Sequence, residues 1–450
     1  MRPTERTYRL SLLVPILVLA VQASLPLGKT ASADDARRIT HLSEILPGRP
    51  WPERRKEIER RWLDLLGEFP KVVPELKPLI REIEAKDGIT RYHVSFQTEA
   101  DDRVTAWLLV PDAARKKATA AIVCVHSTTW GAGKDQVIGL TGRRPVDPPR
   151  DPRIGADYGR TLARHGFVTL SIDLLTDGER IDPEHRVMDT RAFYLKHPEW
   201  SIVGKNTWDI MRSVDFLQTL DFVDSRHIGC TGWSLGGHTA LFAAAFDERI
   251  TATVSNGGVL DWWRNVDAWS RVPGGDNWRP WTRGVDAPTS SKRLEERFGF
   301  RTNSGPYIYI RKFRPCIDDP SKQIPVDFDS LMAMVAPRAL LVISSEHEFS
   351  RHRFFPKARE TLEVYVNWTD FDGLPSALKA RQERLGYAET LEYYGSNYGQ
   401  SQKTIDTKLE QLGAGDAFSW FSFPGGHAFP GVARRMTFAW FDRWLGRTMD

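Results

Sequence analysis

The hydrophobic pattern of the chain changes character near residue 119. From there on, short apolar runs rich in β-branched and aromatic residues recur as "AAIVCVH", "FVTLSID", "HIGCTGWS", "ITATVSNGG", "RALLVISSE" and "AFSWFSFPG". Between them lie stretches with helical spacing, among them "YGRTLARHG", "TWDIMRSVDFLQTL" and "LGGHTALFAAAF". Runs this short and this continuously apolar fit strands buried on both faces, and their alternation with helices predicts a mostly parallel central sheet covered by helices on both faces, an α/β architecture.

Upstream, the pattern differs. "WPERRKEIERRWLDLLGEF" sets Ile58, Trp62, Leu65 and Leu66 at helical spacing with charges opposite, which predicts an amphipathic helix within an N-terminal helical appendage, residues 34–89. "TRYHVSFQTEADDRVTAWLLVPD" alternates on either side of a polar "TEADD" and predicts a hairpin at the start of the main domain, residues 90–450. Two stretches break the strand–helix rhythm, at about 261–325 and 361–412. The first carries Trp262, Trp263, Trp269, Trp278 and Trp281 among many Gly, Pro and Arg residues and predicts a Trp-rich lid. No internal repeat is present, which removes propellers and solenoids.

The first 33 residues have another purpose. Arg2, Arg6 and Arg9 precede the apolar run "LSLLVPILVLA", and "ASA" at 31–33 offers small residues to a signal peptidase, so an exported, periplasmic or extracellular protein is expected, cut after Ala33 or alternatively after Ala23. The run is shorter than the ~20 residues that span a bilayer, so no stable membrane association is expected after cleavage. Removing residues 1–33 lowers the formal net charge from +4 to +1, which leaves no electrostatic case for nucleic acid. Of three cysteines, Cys124 and Cys230 lie in apolar runs and read as core residues, Cys316 being the third, so covalent bridges are not expected to carry the stability. No Cys/His pair stands at metal-ligand spacing, and "HEFSRH" lacks the helical zinc order, so no metal is expected.

The chemistry centres on Gly232-Trp233-Ser234-Leu235-Gly236. G-x-S-x-G following a strand and opening a helix is the pattern of a nucleophile elbow, where the turn is too sharp for side chains beside the serine. A serine nucleophile needs a base, and in a fold of this kind the acid and then the histidine follow it along the chain. His427, in "FSFPGGHAFPG", comes after the last strand run and before the terminal helical pattern. His238, on the helix after the elbow, reads as a packed or capping residue. The acid comes from "RALLVISSEHEF", where strand alternation turns Glu346 and Glu348 the same way; Glu348 stands further past the strand, with Glu346 the alternative. Developing oxyanion charge would meet the amide of Leu235 and a second amide from the loop after "AAIVCVH", for which Thr128 is the candidate. Trp233, Trp262, Trp263 and Trp269 are the aromatic candidates for substrate contact, although the insertion's tryptophans serve equally as its own core.

"VHSTTWGAGKD", "LARHGFVTLSIDLLTDGER", "IGCTGWSLGGHTALFAAAFDERI", "PVDFDSLMAMVAPRALLVISSEHEF" and "GGHAFP" resemble successive blocks of the secreted bacterial α/β-hydrolases of the dienelactone hydrolase-like or acetyl xylan esterase-like family, over the chain from about Arg103 onward. The resemblance implies an α/β-hydrolase fold with Ser234 as nucleophile and His427 as base. That family usually closes the strand-end block with histidine then aspartate, which falls on His347 and Glu348 and favours Glu348 as the acid. The chain departs by carrying glutamate there, by Trp233 where His, Phe or Tyr is more frequent, and by a serine where dienelactone hydrolases proper use cysteine.

The expectation is thus an exported serine hydrolase of carboxylic esters, working through Ser234, His427 and Glu348 without a cofactor, on a small-molecule or carbohydrate ester such as an acetylated or esterified plant-type polysaccharide. Two rivals stand beside it: a peptidase related to prolyl oligopeptidases, for whose propeller the stretch before the core is too short, and a non-catalytic carbohydrate-binding protein on a hydrolase scaffold.

Overall fold

The computed structural model describes residues 39–446 apart from 130, 141–155, 183–186, 260–308, 314, 317–318, 320, 346–347, 349–356, 359, 362–416 and 424–426. The expected signal segment, most of the first insertion including Trp262, Trp263 and Trp269, most of the second insertion and Glu346 lie outside the described residues.

Nine strands form one mixed sheet in the order β1-β2-β3-β5-β4-β6-β7-β8-β9. The hairpin expected from its alternation is present as β2 (Ile89–Glu99) and β3 (Asp102–Pro111), paired antiparallel. The sheet begins earlier than the hairpin, however. β1 (Leu79–Lys86) pairs antiparallel with β2 from within the stretch read as a helical appendage. It was illegible because all eight of its positions are exposed, so no buried face imposes a period on it.

The six apolar runs are β4 (Thr119–Val125), β5 (Val168–Ile172), β6 (Val223–Trp233), β7 (Ile250–Asn256), β8 (Ala339–Ser345) and β9 (Phe418–Phe423), and every pairing among them is parallel. Successive strand side chains point to opposite faces, so the complete burial of β4, β5, β8 and β9 means that both faces are covered.

The covering helices are α1 (Trp51–Leu66), α2 (Lys134–Ile138), α3 (Tyr158–Arg164), α4 (Arg191–Lys196), α5 (Ile202–Gln218), α6 (Leu235–Phe246), α7 (Phe328–Val335) and α8 (Gly431–Leu445). α6 is apolar around its whole circumference because it is buried by the sheet on one side and by α5 and α7 on the other. α1 buries Ile58, Trp62, Leu65 and Leu66, and the Trp62 indole N–H donates to Ser330 Oγ at 3.2 Å while its ring meets Phe242 edge-on. α1 thereby belongs to the main core. Cys124 and Cys230 are buried there as well, and burial pushes both thiols up out of the reactive range.

Chain order reverses across the sheet at β4: the chain steps from β4 outward to β5, then crosses back to β6 on the other side of β4. In parallel sheets of this type the crevice at such a reversal, beyond the strands' carboxyl ends, is where ligands bind. Ser234 directly follows β6 at that point.

Candidate active site

Ser234 takes φ 58° and ψ −117°, a conformation costly for any residue with a Cβ and maintained only where the surroundings impose it. The surroundings do so by contact. A Cβ on Gly232 would lie 2.4 Å from the Gly236 carbonyl, and one on Gly236 only 2.0 Å from Val125 O. The glycines on either side of the serine are therefore required, and the first turn of α6 is pressed onto the end of β4. The Ser234 amide donates to Asn256 O at 2.8 Å, tying the elbow to β7.

Three later loops reach this point. After β7, Gly257 turns at φ +59°, and its ideal Cβ position is 3.0 Å from His427 Cε1, 3.3 Å from His427 Nδ1 and 3.7 Å from Glu348 Oε2. After β8, Glu348 is held by two serines: Ser344 Oγ donates to Oε2, and the Glu348 amide donates to Ser345 Oγ at 3.3 Å. After β9, the imidazole of His427 hydrogen-bonds through Nδ1 to Glu348 Oε1. The same imidazole lies against the Trp233 ring, 5.2 Å between centroids and 33° between planes. The carboxylate, the imidazole and the residue preceding Ser234 are thus brought together from positions 348, 427 and 233.

Trp233 itself is 9% exposed. Its place is beneath the imidazole, which explains an aromatic residue there on grounds of packing. His238 is buried beside Tyr309 and Phe242, and burial pushes its imidazole down to about 3, so at neutral pH it is an uncharged core group.

The loop carrying Thr128 has a frame of its own. The Leu174 amide donates to His126 Nε2 at 3.0 Å, which makes Nε2 the acceptor and leaves the proton on Nδ1, 2.6 Å from Ser127 O. Asp177 then gathers the far side, accepting from Thr129 Oγ1, from the Gly131 amide and from the Gly178 amide, each at 2.8 Å. Asp173 holds α2 below it, accepting the Lys134 amide at 2.8 Å and the Lys134 ammonium at 2.5 Å. Thr128 is half-buried in this loop, and the Leu235 amide begins α6. Backbone N–H groups at such a terminus favour negative charge.

Sequence reasoning missed Asn256, Gly257, Ser344 and Asp177. A signal for the first two was present in "VSNGG": paired glycines just past a buried strand mark a close backbone approach. Ser344 and Asp177 act by holding motif residues, Ser344 through Glu348 and Asp177 through Thr129 and Gly131, and carry no such mark of their own.

A hydroxyl on an elbow, an imidazole fixed by a carboxylate and amides at a helix start form an arrangement capable of acyl transfer. Residues 31–262 match the abhydrolase family, and residues 184–354 match the fungal glucuronyl esterases. The 4-O-methyl-glucuronoyl methylesterase of Hypocrea jecorina is 29% identical over 143 residues, which is 31% of this chain and 26% of that protein. A carbohydrate esterase of an unknown prokaryotic organism is 24% identical over 177 residues, 37% of this chain and 35% of that protein. The chain therefore spans only about a quarter to a third of these relatives' length. Among solved structures, the glucuronoyl esterase of Solibacter usitatus superposes with a TM-score of 0.56 at 19% identity, covering 88% of this chain and 92% of that one. That of Teredinibacter turnerae gives 0.52 at 18% identity, covering 91% and 89%. With the match to residues 31–262 extending over half of its length, and with the fold described above, the chain belongs to the abhydrolase family and has the α/β-hydrolase fold.

Proposed function

We propose that this protein is an exported serine esterase that cleaves carboxylic esters carried on plant-type polysaccharide. The observation that carries the proposal is the Glu348–His427 hydrogen bond lying against Trp233, one residue from a serine in elbow geometry. His427 accepts the Ser234 Oγ proton as the oxygen attacks the ester carbonyl, and Glu348 holds the imidazole and stabilises its charged form. The amides of Leu235 and Thr128 meet the oxyanion. Collapse of the tetrahedral species returns the proton to the departing alcohol and leaves an acyl-serine. Water, activated by the same histidine, then releases the acid and restores Ser234.

The carbohydrate substrate is supported by the names of the relatives, glucuronoyl methylesterase and carbohydrate esterase, and by the tryptophans of the 261–325 insertion, on which sugar rings would stack. Export is supported by the basic–apolar–small pattern of residues 1–33, and no helix among the described residues is long and apolar enough to cross a membrane.

The test is hydrolysis of an aryl acetate, acetylated xylan and a methyl glucuronate ester by the protein and by Ser234→Ala and His427→Ala. Activity on at least one ester that falls by about 10³-fold or more in both variants is the expected result. Equal rates in all three proteins would overturn the assignment.

A further inference from the structure

Away from Ser234, three distant segments bring metal-ligating side chains together: His41 from the N-terminal segment, Asp329 at the start of α7 and Glu360 after β8. One ligand atom from each lies within 4.8 Å of the other two, and His41 Nδ1 is 3.4 Å from Asp329 Oδ2. Ligand spacing along the chain carries no sign of the set, since His41 and Asp329 are 288 positions apart.

Both carboxylates are aimed by backbone. The Leu42 amide donates to Asp329 Oδ2 at 3.0 Å, the Ser330 amide to Asp329 Oδ1 at 2.5 Å, and the Ser43 amide to Glu360 Oε2 at 2.8 Å. A carboxylate oxygen that accepts one N–H keeps a second lone pair for a cation.

The local charge is unbalanced. Asp327 is buried next to Asp329, so three carboxylates share this place, while Lys357, 3.1 Å from Asp327, brings one fixed positive charge. Carboxylates crowded and desolvated in this way are costly, and a divalent cation offsets that cost.

We propose that His41, Asp329 and Glu360 bind a divalent transition-metal ion, zinc before others, which staples the N-terminal segment to α7. One imidazole nitrogen with two carboxylate oxygens suits zinc, whereas calcium and magnesium take oxygen ligands. Metal–ligand distances of about 2.0–2.2 Å set tetrahedral ligands about 3.4 Å apart, so the side between His41 and Asp329 already fits and the longest side of the triangle must close by up to about 1.4 Å. His41 has room for that movement, its side chain being 46% exposed.

The test uses chelator-treated, dialysed protein at pH 7.5, titrated calorimetrically with zinc chloride and melted with and without it. One equivalent is expected to bind and to raise Tm by several degrees, with at least a tenfold loss of affinity in both His41→Ala and Glu360→Gln. Calcium and magnesium at the same concentration are expected to leave Tm unchanged. Asp329 is left alone because it also caps backbone amides. Absence of saturable zinc binding, or equal binding by the native protein and both variants, would overturn the site. Esterase activity enters neither readout, so the result is independent of the role of Ser234.

Discussion

Asn256 joins Ser234 to the loop that carries His427. Its carbonyl accepts the Ser234 amide at 2.8 Å, and its side-chain Nδ2 donates to Ala428 O at 3.2 Å. Asn256→Ala keeps the first bond and deletes the second, leaving a carbonyl beside the histidine unpaired. A displaced base costs turnover more than binding, so kcat is expected to fall about tenfold with KM within about twofold. Steady-state kinetics on the best ester measures both.

Gly257 carries the second prediction. Its φ of +59° disfavours any Cβ, and an added methyl would press on the His427 ring and on Glu348. Gly257→Ala is expected to lose about 1 kcal/mol of stability and, separately, to reduce kcat by tenfold or more. Urea unfolding and kinetics read the two effects apart; a variant with lowered stability but unchanged kcat would break the link between this turn and the imidazole.

Glu348→Gln keeps the shape of the side chain and removes its charge. With the imidazole no longer held in its tautomer or stabilised when charged, kcat is expected to drop by about 10³- to 10⁴-fold. Ser344→Ala removes only the donor to Oε2, and a loss nearer tenfold is expected. The ordering of the two variants, measured as kcat, is the check.

Asp177 predicts a different profile. Without it Thr129, Gly131 and Gly178 lose their common acceptor, and the loop around Thr128 loosens. Asp177→Ala is expected to slow turnover by about 10- to 100-fold, approaching the cost of losing one oxyanion donor. Burst kinetics with an aryl ester would locate the loss in acyl transfer.

The fold's acid sensitivity follows from His238. Its imidazole is pushed down to about 3 when folded, against an ordinary value of 6.5. As pH falls from about 6.5 towards 3 the unfolded chain takes up a proton that the folded chain refuses, so stability declines through that window. The contribution is at most about 1.4 kcal/mol per pH unit. His238→Gln is expected to flatten the dependence of unfolding free energy on pH by up to that slope.

What could be read in advance divides along physical lines. β4, β5, β8 and β9 were legible because burial on both faces keeps the run apolar, β6 only over its buried second half, and α1 because Ile58, Trp62, Leu65 and Leu66 repeat with the helical period. The Ser234 turn was legible because Gly232 and Gly236 are demanded by contacts of 2.4 and 2.0 Å. β1 was hidden since all eight of its positions are exposed. At Trp233, residue type declared an aromatic surface and could not say that its ring packs against His427.

The exposure of β1 has a cost that the chain manages locally. As the outermost strand it offers unpaired backbone groups along one side and leaves Leu79, Ile80 and Ile83 open to water. Arg81, Glu82, Glu84 and Lys86 put charge into the same eight residues, and the register with β2 slips between Glu82 and Glu84. A kinked, charged margin is a poor template for a neighbouring molecule's strand. The segment least informative about catalysis thus carries the features that disfavour edge-to-edge joining.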